Sequence, residues 1–309
     1  MYVADRLGWI RRVFHIRGSV LPIVWPRIAF VTVVATVFTA AYLKTYFFHV
    51  SLTTAPFVLV GVPLGIFLGF RNNVAYDRFW EGRKLWGQLV NTSRAFTRQV
   101  LTLTTAPAEF TMELDEFRRT IVRRHAAYVH SLRLSLRAES YTELTRFLPD
   151  EEVHHLRAEP SAPNAILHQT GVLISAAWKR GWIDSVLMRS FDQSLVTLAD
   201  VQGGCERIKS TPIPFSYTVL IHRIVAIYCL LLPFGLVETA RWTTPFVVLI
   251  ISNALFGLDA IGDEIENPFG HDVNDLPLHQ LATMIESNVL VRIGDKLPEP
   301  IRPKNHILS

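Results

Sequence analysis

The sequence predicts an all-α membrane protein in which two hairpins of membrane-spanning helices flank a water-facing helical domain. Three observations carry this expectation. Between Arg27 and Arg71 the only charged residue is Lys44, and between Arg223 and Asp259 the only ones are Glu238 and Arg241. Each stretch is long enough for two crossings of about 20 residues. The intervening residues 72–210 mix charged and apolar side chains at helical spacing, and no convincing strand pattern interrupts them. Only 19% of the 309 residues are charged, against the quarter or so usual in soluble domains.

The charges also give a direction. Arg6, Arg11, Arg12, Arg17 and Arg27 precede the first apolar stretch against a single acid, Asp5; Arg71, Arg78, Arg83 and Lys84 follow it. The links inside the two hairpins carry only Lys44 and the pair Glu238 and Arg241. Positive charge marks the cytoplasmic side. Both termini and the middle domain are therefore expected in the cytoplasm, with the chain multi-pass in the cell inner (plasma) membrane. No cleavable signal segment is expected. Cys205 falls in the middle domain and Cys229 in a crossing, so a shared disulfide is not expected.

Taken in order, residues 1–26 read as an N-terminal arm, 27–75 as the first two crossings, 76–211 as the cytoplasmic helical domain, 212–260 as the second two crossings and 261–309 as a C-terminal segment. In the arm, Leu7, Trp9, Ile10, Val13 and Phe14 with the arginines fit either an interfacial helix or a segment docked on the middle domain, the latter preferred. The first crossing covers about 27–48, with Pro26 suited to a first helical turn. Trp25 at one end and Tyr42, Tyr46, Phe47 and Phe48 at the other resemble aromatic belts. The second starts near Pro56, and the proline-free run from Asn72 to Gln99 allows it to continue past the membrane. Within 110–147, Phe117, Ile121, Tyr128, Leu132 and Leu136 form a candidate buried stripe, with the arginines on a solvated face. Helices over about 164–180 and 184–208 follow, then crossings over about 213–236 and 242–259. The last fifty residues read as acidic and polar with a proline-rich end.

Catalytic signals are weak: no zinc-protease helix, nucleophile elbow, phosphate-binding glycine loop or dinucleotide fingerprint is present, and no nucleic-acid partner is implied. His154 and His155 are adjacent and read as a solvated pair, and Cys205 beside Gly203 and Gly204 reads as a buried thiol. His222 and Arg223 near the start of the third crossing fit functional intramembrane charge or snorkelling to the interface equally well. The second crossing says more. Gly61, Gly65 and Gly69 recur every four residues and would let a neighbouring helix approach. Val62, Ile66 and Phe70 recur one position on, about 100° round the helix. That bulky stripe could face lipid, or it could ring an axis and gate by dewetting. After the fourth crossing, Asn267, Asp272 and Asp275 lie in an oxygen-rich turn around Pro268 and Gly270 that suits a hard cation, though acid-rich turns are mostly solvated.

Two long blocks and one shorter one carry a resemblance. Phe70-Arg-Asn-Asn-Val-Ala-Tyr-Asp-Arg-Phe-Trp-Glu-Gly-Arg-Lys-Leu-Trp-Gly87, Ile265-Glu-Asn-Pro-Phe-Gly-His-Asp-Val-Asn-Asp275 and Gly204-Cys-Glu-Arg-Ile-Lys-Ser-Thr-Pro-Ile-Pro-Phe215 are similar to blocks of the bestrophin family of ion channels. The resemblance covers nearly the whole chain, and its short length looks like the prokaryotic branch. It implies a homopentamer around one central pore, with four membrane helices per subunit. It implies an apolar neck at Val62, Ile66 and Phe70 and a cytoplasmic constriction at Val186 or Leu187. Animal members bind calcium through the acidic run after Asn-Pro-Phe-Gly; here His271, Val273 and Asn274 replace part of it, so calcium activation is not expected to carry over. Any divalent ion at Asp272, Asp275 and Asn267 would be calcium or, with His271 nearby, zinc; no cofactor is required. The implied activity is passage of small monovalent inorganic ions, chloride-type as in animal members or sodium-type as in prokaryotic ones, with the cation preferred. The alternatives are a secondary transporter, which commonly shows inverted repeats that this chain lacks, and a membrane scaffold without a pore.

Overall fold

The computed structural model describes residues 2, 8–13, 15–44, 51–303, 306 and 308, apart from the side chains of Arg12 and Val13. The arm residues Asp5, Arg6, Leu7 and Phe14 and the belt aromatics Tyr46, Phe47 and Phe48 lie outside them. Among the described residues ten α-helices follow one another: α1 (Trp9–Val13), α2 (Leu21–Lys44), α3 (Thr54–Thr102), α4 (Thr111–Arg137), α5 (Asp150–Leu156), α6 (Ala162–Lys179), α7 (Ser185–Ser210), α8 (Phe215–Ala240), α9 (Thr244–Glu266) and α10 (Leu278–Leu290). No strand occurs among the described residues. The chain divides into two compact units: Ala4–Phe79 with Pro212–Asn267, and Met1–Val3, Trp80–Thr211 with Pro268–Ser309.

The first unit holds α1, α2, the N-terminal half of α3, α8 and α9. Among the described residues three helical stretches are long and apolar enough to cross a membrane, Leu21–Lys44, Thr54–Thr102 and Phe215–Glu266. The third folds back on itself at a short 3-10 turn, Arg241–Thr243, where Arg241 adopts φ 46°. Its halves α8 and α9 are antiparallel, since His222, 19 residues before Arg241, reaches Asp259, 18 after it. Phe57 meets Tyr228 and Tyr217 reaches Phe67, so α3 runs antiparallel to α8. The Phe38–Phe234 and Tyr42–Glu238 contacts make α2 parallel to α8. The chain thus alternates direction in four helical passes. At about 1.5 Å per residue, the 24, 26 and 23 residues of α2, α8 and α9 each exceed the roughly 30 Å of a hydrocarbon layer.

These passes pack on one small set of side chains. Val24, Ile28, Val31 and Ala35 of α2, spaced at helical intervals, meet Phe57, Leu64 and Leu68 of α3, Val225, Cys229 and Leu232 of α8, and Val248, Phe256 and Ala260 of α9. Gly235 leaves room in α8 for Phe57, because a Cβ there would overlap one edge of the Phe57 ring. Pro26 is not in the first turn as expected. The helix starts at Leu21, so Pro22 takes that place and Pro26 is interior. In the arm, Trp9 and Ile10 are exposed.

The second unit is built around α4, whose residues Arg124 to Leu134 are all buried. Its Ile121, Tyr128 and Leu132 are in the core as expected, with the Tyr128 hydroxyl donating to the Leu198 carbonyl at 2.7 Å. The arginine face is not solvated throughout: Arg119 is exposed, but Arg124 and Arg133 are buried. Arg124 makes a two-pronged pair with Glu152 at 2.8 and 2.6 Å, and Arg133 pairs with Glu139 at 3.0 Å and with Glu143. A helix covered on every side buries its polar face too, and buried guanidinium groups then need carboxylate partners. The C-terminal segment supplies another of those covers. Leu278, Ala282, Ile285 and Val289 form the buried stripe of α10, and Glu286 beside them accepts from His130 at 2.9 Å. His154 and His155 are exposed, as expected.

Candidate functional site

Helix α3 has two opposed faces in the first unit. Phe57, Leu64, Leu68, Arg71 and Ala75 are buried at intervals of seven, four, three and four residues. At about 100° per residue this is one face, and Ile66 points roughly 180° away from its centre. Val62 and Phe70 flank Ile66, and all three are 53–61% exposed. The stripe singled out in the sequence is therefore unpacked within the chain. The glycines divide: a Cβ on Gly61 would lie 2.7 Å from the Tyr228 hydroxyl, whereas at Gly65 and Gly69 it would meet nothing within 4 Å.

Where the apolar stripe ends, four charged and titratable side chains close a ring. Arg71, next to Phe70, is fully buried. Its Nη1 donates to Asp259 Oδ1 at 2.8 Å and its Nη2 donates to Asp263 Oδ1. The other oxygens of both aspartates face one histidine: His222 Nδ1 lies 2.6 Å from Asp259 Oδ2, and Nε2 lies 3.5 Å from Asp263 Oδ2. Helices α3, α8 and α9 are tied together there. Close approach is built into α9 at Gly262, where a Cβ would sit 2.5 Å from Asn72 Oδ1, and Asn72 Nδ2 donates to the Leu258 carbonyl at 3.0 Å. Sequence spacing joins His222 only to its neighbour Arg223 and gives no sign that Asp259 and Asp263 face it. The polar atoms of His222, Asp259 and Asp263 lie within 4.8 Å of one another, and the cation they hold is the Arg71 guanidinium.

The other expected site residues lie elsewhere. Val186 is 82% exposed at the start of α7, its N–H donating to the capping Asp184 carboxylate at 2.7 Å, and Leu187 is half-buried. Asn267 ends α9 in the first unit, whereas Asp272 and Asp275 belong to the second. Asp275 is buried and its Oδ2 accepts the Asp272 N–H at 2.7 Å; the turn closes with the Leu276 N–H donating to the Pro268 carbonyl at 3.0 Å. One of the two carboxylates thus works as a backbone cap. Cys205 is buried, which pushes its thiol up to about 12, so it is no nucleophile at neutral pH. His125 is buried beside Phe96 and Tyr128, and burial lowers it to about 4. Burial pushes the Glu143 carboxyl up, but hydrogen bonds and charge from His130 and Arg133 outweigh it and hold the group at about 2.

Comparison with known proteins places this arrangement. A family model described as bacterial and fungal bestrophin protein matches residues 1–291. A voltage-dependent anion channel-forming protein of Ralstonia nicotianae is 40% identical over 296 residues, 96% of this chain and 95% of its own length. A protein of the same description from Escherichia coli K12 is 37% identical over 313 residues, covering 99% of both. The crystal structure of a bacterial bestrophin homologue from Klebsiella pneumoniae superposes with a TM-score of 0.82 at 36% identity, over 89% of this chain and 99% of that one.

Proposed function

The chain belongs to the bacterial and fungal bestrophin family, and we propose that it forms a membrane ion channel for small monovalent ions. In this reading it is a homopentamer in the plasma membrane. Helices α2, α8 and α9 and the N-terminal half of α3 make four crossings per subunit, and both termini are cytoplasmic. Val62, Ile66 and Phe70 of five subunits ring the axis as an apolar neck, and Val186 or Leu187 narrows the pathway again on the cytoplasmic side. The observation that carries the reading is the opposition on α3: a packed face toward its own chain, and a regular apolar stripe pointing away from it. A four-helix subunit buries one side of that helix and leaves the other for copies of itself or for the conduction path. The names of the relatives favour anions, whereas the likeness to the prokaryotic branch favours sodium-type cations. An uncharged stripe selects neither, so the sign is set by helix dipoles and charges away from it.

The test is purified protein in planar bilayers under asymmetric NaCl. Discrete single-channel steps are expected, and the reversal potential gives the sign of the permeant ion. Saturable flux without steps would identify a carrier instead. Native mass determination in detergent should give five copies; a conducting monomer would end the pentamer reading.

A further inference from the structure

The ring around Arg71 has an unusual property for a buried ion cluster: with both of its carboxylates ionised, it is neutral only when its histidine is charged. Two carboxylates, Asp259 and Asp263, face one permanent cation, Arg71. His222 presents a different nitrogen to each carboxylate, at 2.6 and 3.5 Å. An ionised carboxylate only accepts hydrogen bonds, so both ring nitrogens are served best as donors, which is the imidazolium form. The cluster then holds two positive and two negative charges. Without the second proton it keeps a net negative charge among membrane helices, where uncompensated charge is costly. Arg71 and Asp259 are sealed at 0% and 2% side-chain exposure, but His222 and Asp263 are 34% and 41% exposed, so water reaches the titrating corner.

The charged partners of His222 at that corner come from two helices. From α3 it is faced by Arg71, and from α9 by Asp259 and Asp263. The cations of α2, Arg27 and Lys44, are exposed, as is Arg223 on α8 itself. Glu266, further along α9, accepts the Ile213 N–H at 3.0 Å.

We propose that His222 is a proton-binding switch whose protonated form clasps α3, at the residue next to Phe70, to α8 and α9. Losing the proton breaks the Nε2–Asp263 arm first, since it is the longer and wetter one. Asp263 is then held by Arg71 alone, and the end of the apolar stripe is less firmly tied. The electrical consequence rests on the channel reading above; the clasp itself rests only on the ring.

Two measurements separate these. Currents are recorded in planar bilayers from about pH 5 to 8, the interval in which histidines change charge, with both sides buffered together. Thermal midpoints in detergent are measured over the same interval. Relative to His222→Gln, the wild type should lose thermal stability as pH rises, and its open probability should rise roughly threefold or more across the interval. His222→Gln, which keeps a polar side chain but cannot be protonated, should be flat in open probability and should keep only the pH dependence of the midpoint that other groups such as His125 contribute. Asp263→Asn, at a half-exposed position that leaves the Arg71–Asp259 pair intact, should show a smaller span than the wild type. Wild type and His222→Gln titrating in parallel in thermal midpoint would overturn the switch. A midpoint that depends on His222 with pH-independent currents would overturn its coupling to α3. Absence of any current would count against the channel reading, and the midpoints would still decide the clasp.

Discussion

Helices α3 and α4 are built inside out with respect to each other. In the first unit, α3 turns Val62, Ile66 and Phe70 outward and buries Arg71. In the second, α4 buries eleven residues in succession, from Arg124 to Leu134, arginines and histidines included. The difference teaches what each unit is solvated by. Apolar side chains left outside in a regular stripe are unfavourable in water and acceptable in lipid or against another subunit. A fully enclosed polar helix is acceptable only if each charge finds a partner, and α4 has Glu152, Glu139, Glu143 and Glu286 for that purpose.

Substitutions can break this contrast, beginning with the largest effect. Arg71→Ala should cost about 3–5 kcal/mol by leaving Asp259 buried without its cation. Loss of the thermal transition or of folded protein in detergent is the readout; an unchanged midpoint would mean the ring carries no structural weight. Second, the unit around α4 should weaken in acid through His125. An unfolded imidazole takes a proton near 6.5, but in the fold burial holds this one at about 4. The unfolded state therefore binds more protons between those values, and stability falls as pH drops through that window, on the order of 3 kcal/mol in all. His125→Leu should flatten the pH dependence of the midpoint over that range.

Asp275→Ala comes third, at about 1–2 kcal/mol, because it removes the acceptor of the Asp272 N–H. Currents from chelated to millimolar calcium should be the same in the wild type; a steep calcium response abolished by this change would restore a gating site in the turn. The smallest stability change belongs to the triple variant Val62→Ala, Ile66→Ala, Phe70→Ala, whose side chains make little packing inside the chain. Its effect should appear instead as raised conductance or open probability, and unchanged currents would show that the stripe faces elsewhere.

What the sequence makes legible follows the range of the interactions involved. The apolar stretches and the continuation of α3 beyond the stripe, to Thr102, depend on neighbouring residues, so spacing and the absence of proline reveal them. The stripe of α10 was equally local, in Leu278, Ala282, Ile285 and Val289, but the acids and prolines around it masked the pattern. The buried arginines of α4 defeat local reading for a different reason. An arginine-rich face looks solvated until Glu139, Glu143 and Glu152 are known to fold onto it. The ring is the extreme case, since Arg71 and Asp259 are 188 positions apart. Its one visible hint was that His222, Asp259 and Asp263 all sit near ends of apolar helices.

That separation has a consequence for how the protein is made. A ribosome adds about 5–20 residues per second. Arg71 therefore emerges roughly 10–40 s before the aspartates that neutralise it. During that interval the apolar part of α3 ends in a lone guanidinium with no carboxylate to bury against, and hydrocarbon will not accept it. The segment has to wait at the water-exposed margin until α9 is complete. The first membrane helices to be translated are thus among the last to be locked, and a chain truncated before Asp259 lacks the means to finish them.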